Sequence, residues 1–230
     1  MKIGILIAGH LDESMFSTHG NIDKVLTDML QGQGFEIVSY AVCDNHFPTD
    51  LNSVDGWIIS GSIHCANDDI DWIHQLKALV REIYARDIPL VGICFGHQVI
   101  AAALGGKVEQ FSGGWGVGGH QYRISEKQLD TRVIAWHQDQ VIEKPEQAKC
   151  IGSSDFCRNA FLVYADKIFT MQPHPEFSLE FARDLLAIKQ QSFTEEMVEQ
   201  VKKSLQQPLD SNVFHKAIGQ FFKTRTVNIE

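Results

Sequence analysis

The 230-residue sequence predicts an α/β fold: a mostly parallel central sheet with antiparallel edge hairpins and C-terminal helices, in one domain. Three observations carry this. In the first half, short apolar runs alternate with stretches of helical period, as in a parallel sheet covered on both faces. Residues 105–166 break into brief runs rich in β-formers, which is how hairpins read. After Pro175 the apolar spacing turns helical.

Taken in order, residues 2–8 make a buried first strand closed by Gly9. That run is too short to span a membrane and lacks a signal-peptide cleavage pattern. Residues 21–30 form a helix with Ile22, Val25, Leu26 and Leu30 on one side, ended by Gly32 and Gly34. Residues 35–41 are the second strand, and 55–60 a short buried one ending at Gly61. Asp71–Ala85 is a helix that places Trp72, Leu76, Leu79, Val80 and Ile83 at helical spacing. Residues 89–93 are an apolar strand that passes directly into a helix ending at Leu104. The β-rich section supplies runs at 108–111, 119–124, 132–136 and 160–164, and residues 168–172 return to the core. The last helices span about 179–191, 194–205 and 211–223, with Ser192 and Thr194 as caps and Glu195 and Glu196 as first-turn acids. From about residue 192 the chain is a helical extension of the single domain 1–230, with Phe214, Ile218, Phe221 and Phe222 as its core contacts.

Composition removes several function classes. A 44% hydrophobic share is enough for a sizeable core, and a formal net charge of −9 excludes an electrostatic grip on nucleic acid or an anionic membrane. Five scattered cysteines form neither a disulfide framework nor a zinc-type pair, and the expected compartment is the cytoplasm. Cys43, Cys65, Cys150 and Cys157 read as small buried apolar residues. Cys94 reads differently.

Gly92-Ile93-Cys94-Phe95-Gly96 places a cysteine between two glycines where a buried strand meets a helix. The glycines permit a crowded turn that lifts the thiol above the C-terminal edge of the sheet, where open α/β folds bind ligands. The start of the following helix points at the sulfur, and its partial positive charge favours the thiolate. Gln172-Pro173-His174-Pro175-Glu176 follows another strand. Pro175 steers His174 towards an extended conformation, so His174 and Glu176, two apart, face the same way. Glu176 then accepts a hydrogen bond from one imidazole nitrogen and leaves the other for Cys94. A nucleophile, a base and an orienting carboxylate are the result.

These two blocks, extended to His97 and Gln98 and joined by Ser60-Gly61-Ser62, Gly113-Gly114-Trp115 and His137-Gln138-Asp139, resemble the class I, triad-type glutamine amidotransferases over residues 1 to about 190. The resemblance implies a flavodoxin-like α/β/α sandwich and a γ-glutamyl thioester on Cys94. It implies that His174 protonates the leaving amine and then activates water. The backbone N–H groups of Gly61 and Phe95 would form the oxyanion hole. Gln98, His137, Gln138 and Asp139 would hold the small-molecule substrate, glutamine or a γ-glutamyl compound. Members of this appearance resemble both the GMP-synthase glutaminase, which implies a synthase partner receiving ammonia, and γ-glutamyl peptidases. With no acceptor domain within these residues, an independent amidohydrolase is the favoured reading.

Two departures from the family pattern stand out. The usual Gly-Gly-Pro oxyanion turn is Ser60-Gly61-Ser62 here, and Trp136 precedes His137 where synthase-feeding members commonly have a small residue. Three other readings compete. A dienelactone-hydrolase-type enzyme shares the Gly-x-Cys-x-Gly turn but orders nucleophile, acid, histidine. A non-catalytic binding module has no chemical need for all three triad residues. A metal site from His120, His137, Asp139 and His174 lacks any supporting ligand spacing, so no metal or cofactor is expected.

Overall fold

The computed structural model describes residues 1–125 and 127–230. The chain runs β1 (Lys2–Leu6), α1 (Glu13–His19), α2 (Ile22–Met29), β2 (Glu36–Tyr40), β3 (Gly56–Ile59), α3 (Asp71–Ala85), β4 (Leu90–Ile93) and α4 (Phe95–Ala103). It continues through β5 (Lys107–Gln110), β6 (Gly116–Ile124), β7 (Leu129–His137), β8 (Asp139–Glu143), β9 (Lys149–Ser153), β10 (Phe161–Tyr164) and β11 (Ile168–Met171). Helices α5 (Leu179–Lys189), α6 (Glu195–Ser204) and α7 (Ser211–Thr224) close it.

Nine strands form one sheet in the order β2-β1-β3-β4-β11-β10-β9-β6-β7, and β5 pairs with β8 apart from it. The run from β2 to β11 is parallel. From β11 to β7 the pairing is antiparallel. The edge hairpins therefore continue the central sheet instead of forming a separate layer.

Period-two alternation divides the strand side chains between two cores. Ile3, Ile5, Ile58, Val91 and Phe169 face α2, α5 and α7. Leu6, Trp57, Ile59, Leu90 and Ile168 face α3 and α4. The architecture is a three-layer α/β/α sandwich. The helical extension belongs to the first core: Phe214 stacks on Phe161 at 5.0 Å, and Phe221 and Phe222 are buried. Helix α6 docks on β6 at Gly118, whose φ of 93° suits glycine and where a Cβ would stand 2.5 Å from Ser204 Oγ.

Predicted and observed elements differ at three places. Helix α1 was not predicted because only Met15 on it is buried, so it has no apolar period; Asp12 starts it by accepting from Ser14 N–H. Strands β8 and β9 were also unread, because neither shows sustained apolar–polar alternation. Since β1, β3, β4 and β11 run parallel, their C-terminal ends gather along one edge, and the site lies there.

Candidate active site

The turn between β4 and α4 is strained at its centre. Cys94 has φ 52° and ψ −104°, a conformation non-glycine residues rarely adopt. Its neighbours explain how the strain is held. A Cβ on Gly96 would stand 2.3 Å from the Ile59 carbonyl oxygen, and one on Gly92 would stand 2.6 Å from Ile100 Cδ1 and 2.7 Å from Gly96. The Cys94 N–H donates to Met171 O at 2.9 Å, tying the turn to the end of β11. The strain therefore holds the thiol over the sheet edge, with α4 starting directly behind it.

Beyond β11 the chain stays extended. His174 N–H donates to Ile134 O at 2.8 Å, anchoring this segment to β7. The imidazole Nδ1 donates to Glu176 Oε1 at 2.7 Å, with side chains only 6% and 0% exposed. Phe177 stacks on the ring at 4.1 Å and 6°, fixing its plane. Helix α7 steadies the segment from outside, where His215 Nε2 donates to Pro175 O at 2.8 Å. Burial by itself would disfavour the charged imidazole, but negative charge on the Cys94 sulfur and the Glu176 carboxylate outweigh it and raise the His174 pKa to about 10. Cys94 and His174 converge on Gly61, where an added Cβ would lie 3.1 Å from His174 Cε1 and 3.9 Å from Cys94 Cβ. Ser60 shapes that turn: its hydroxyl accepts from Ala8 N–H and donates to Gly61 O, both at 2.9 Å.

A cavity of about 470 Å³ opens beside the sulfur, lined among others by Cys94, Gln98, Trp136, His137, Gln138 and Asp139. Gln98 Nε2 donates to Asp139 O at 2.8 Å. His137 Nδ1 donates to the same carbonyl at 3.1 Å. Burial lowers the His137 pKa to about 3, so the ring is neutral and carries its lone pair on Nε2. Among the described residues that buried Nε2 has no partner. Gln138 Oε1 accepts from Gln110 Nε2 at 3.0 Å. The sequence-predicted site residues thus lie at the thiol turn (Cys94, Phe95), the segment after β11 (His174, Glu176), the turn after β3 (Gly61) and this cavity (Gln98, His137, Gln138, Asp139).

The other titratable groups separate cleanly. His97 is fully buried, bonded to Thr170 Oγ1 at 2.8 Å, and burial lowers its pKa to about 3. Cys65 lines the cavity, but burial and then Asp139 raise its thiol to about 11, leaving it poor as a nucleophile. His120 packs against Phe156 at 5.7 Å and bonds to Val117 O. Among the described residues, His10, Cys43 and Asp44 gather ligand atoms within 4.8 Å, and Cys94, His174 and Glu176 are not among them.

Sequence reasoning missed the aromatic roof. Phe193, from the helical extension, meets Trp115 at 5.7 Å and Trp136 at 5.8 Å across the cavity. An apolar residue between two capping residues was the available signal at 193.

A model described as glutamine amidotransferase class-I matches residues 19–189. The chain belongs to that family. As a class-I amidotransferase it is an enzyme, and the matched segment contains Gly61, Cys94, Gln98, His174 and Glu176. It is 33% identical over 183 residues to γ-glutamyl peptidase 4 of Arabidopsis thaliana, covering 74% of this chain and 73% of that one. It is 28% identical over 184 residues to a subunit of the glutamine-hydrolyzing GMP synthase of Archaeoglobus fulgidus, covering 74% and 94%. In fold it matches a glutamine amido transferase from Methylobacillus flagellatus with a TM-score of 0.77 at 19% identity, covering 100% of this chain and 96% of that one. Among the described residues, no helix is long and apolar enough to cross a membrane.

Proposed function

We propose that this amidotransferase hydrolyses a γ-glutamyl amide through Cys94, His174 and Glu176. The observation that carries the reading is convergence: a strained, glycine-flanked thiol and a carboxylate-held imidazole meet at Gly61, beside a cavity lined by Gln98 and residues 137–139.

The Cys94 thiolate attacks the γ-carbonyl carbon, forming a C–S bond and placing negative charge on the carbonyl oxygen. The N–H groups of Gly61 and Phe95 receive that oxygen. As the C–N bond breaks, the imidazolium of His174 passes its proton to the leaving nitrogen. In the second half-reaction water attacks the thioester, His174 takes its proton, and the C–S bond breaks to return the thiolate and release glutamate. Glu176 stabilises the imidazolium present at the beginning and end of the cycle. The neutral His137, the Asp139 carboxylate and Gln98 hold the glutamyl end. No metal or cofactor enters these steps, and the expected compartment is the cytoplasm, where thiols stay reduced.

The likeness to γ-glutamyl peptidase 4 supports an independent hydrolase. The likeness to the glutamine-hydrolyzing GMP synthase supports a second reading, in which ammonia from glutamine passes to a separate synthase. The test is glutamate release from glutamine, γ-glutamyl-cysteine, glutathione and γ-glutamyl amines. Cys94→Ala should abolish release and Cys65→Ala should retain it; equal activity in the two variants ends the assignment. Release from glutamine alone, raised by an added synthase, selects the second reading.

A further inference from the structure

Cys94 stands in the wall between two cavities. The larger is the one that Gln98 and residues 137–139 line. The other, of about 260 Å³, lies on the His174 side and is lined by Leu11, Met15, Ile22, Phe177 and Leu185 together with Gly61 and His174. Trp136, Ser62, Ile63 and Lys189 border both, so the indole separates them and the sulfur is reached from either.

Acid catalysis decides which part of a substrate each cavity holds. The proton for the departing nitrogen comes from His174, so that nitrogen and whatever it carries lie on the His174 side of the scissile bond. The glutamyl portion then occupies the larger, more polar cavity. Departing ammonia needs little room: a water, which is of similar size, takes ~30 Å³. The second cavity is about nine times that volume. Its lining is mainly apolar, through Leu11, Met15, Ile22, Phe177 and Leu185, with His10, Asp12 and Lys189 as its charged or titratable members beside His174. Ile63, a large aliphatic side chain 88% exposed, stands on the rim common to both cavities, where a bound apolar group would cover it. The cation on that rim is different in kind. Lys189 Nζ lies 3.8 Å from Asp12 Oδ2, both side chains close to half exposed, and is free to turn towards an arriving carboxylate.

We propose that this second cavity is a leaving-group subsite for apolar amino acids, which makes γ-glutamyl amides of large apolar amino acids the preferred substrates over glutamine. The inference rests on the γ-glutamyl hydrolase reading and deepens it. The leaving amino acid seats its side chain against Met15, Ile22 and Leu185, its carboxylate meets Lys189, and its nitrogen takes the His174 proton. The overall change is one C–N bond exchanged for one C–O bond by water, giving glutamate and the free amino acid.

The experiment compares kcat/KM of the full chain for glutamine, γ-glutamyl-glycine, γ-glutamyl-leucine and γ-glutamyl-phenylalanine, reading glutamate. Burying one large apolar side chain should raise kcat/KM for the leucine and phenylalanine compounds about 10- to 100-fold above γ-glutamyl-glycine. Leu185→Trp, which fills the cavity, should lower the phenylalanine-to-glycine ratio about tenfold; if that variant does not fold, the wild-type series decides alone. Values equal across the four compounds, or highest for glutamine, overturn the subsite and leave the hydrolase reading standing. No glutamate from any of them overturns the hydrolase reading, and the subsite with it.

Discussion

Replacing Glu176 with Gln changes one charge in the proposed triad and almost nothing in shape. The wild-type contact, 2.7 Å between His174 Nδ1 and Glu176 Oε1, is shielded from water, with the carboxylate side chain wholly buried. Hydrogen bonds to a charged partner contribute ~1.5–3 kcal/mol, and neutral ones ~0.5–1.5. The midpoints of these classes differ by about 1.25 kcal/mol, close to tenfold in rate or about one pKa unit on the imidazole. The charge matters most when His174 takes a proton from water, because positive charge then grows beside Glu176. Glu176→Gln should therefore lower kcat about tenfold.

The pH profile supplies the second readout. The His174 pKa, about 10 in the folded protein, lies above its ordinary 6.5. The stabilisation that the protonated ring gives the fold is thus complete below 6.5 and is lost as pH climbs through about 10. The alkaline limb of activity should follow the same group, and in Glu176→Gln it should move about one unit towards neutrality. Glutamate release across the neutral-to-alkaline range gives kcat and the limb together. An unmoved limb with kcat within about twofold of wild type would refute the orienting role of Glu176.

Three further perturbations address other parts of the site. Gly61→Ala places a methyl 3.1 Å from His174 Cε1; displacing the imidazole should cost about 100-fold in kcat/KM with little change in Tm, and wild-type kinetics would contradict the convergence at Gly61. Gly96→Ala sets a Cβ 2.3 Å from the Ile59 carbonyl oxygen. Overpacking against backbone should destabilise by ~1–3 kcal/mol, and calorimetry should show Tm lower by roughly 2–4 °C for each of these; an unchanged Tm would deny the close approach. His215→Ala removes the bond to Pro175 O and should cost ~0.5–1.5 kcal/mol of stability in chemical denaturation. A small fall in kcat should accompany it, recovered in part by His215→Gln, since the bond steadies the segment carrying His174.

Much of the fold is legible because its causes are local. Asp71–Ala85 was predicted at its observed bounds because five apolar residues share one helical face. The strand at 89–93 and its abrupt helix follow from an apolar run meeting glycine on each side of Cys94, and the close approach of Ile59 O to Gly96 and of Ile100 to Gly92 gives the reason those glycines are there. Helix α1 was illegible for the complementary reason, since one buried residue in seven makes no pattern. The Ser60-Gly61-Ser62 turn is held by Ser60, whose hydroxyl bonds across to Ala8 N–H and back to Gly61 O, a contact no local pattern announces.

Residue by residue, then, the sequence alone determined the alternation of strands and helices, the glycine-flanked turn at Cys94 and the proline-held pairing of His174 with Glu176. Each depends on neighbours a few positions apart, where backbone sterics and side-chain spacing act directly. Only the tertiary structure decided that Gly61, Cys94, Trp136 and His174 meet, that Phe193 from the helical extension roofs one cavity, and that a second, apolar cavity lies behind the imidazole. Those distances are set by parallel strand order and by helices docking from opposite ends of the chain, and no local pattern encodes either.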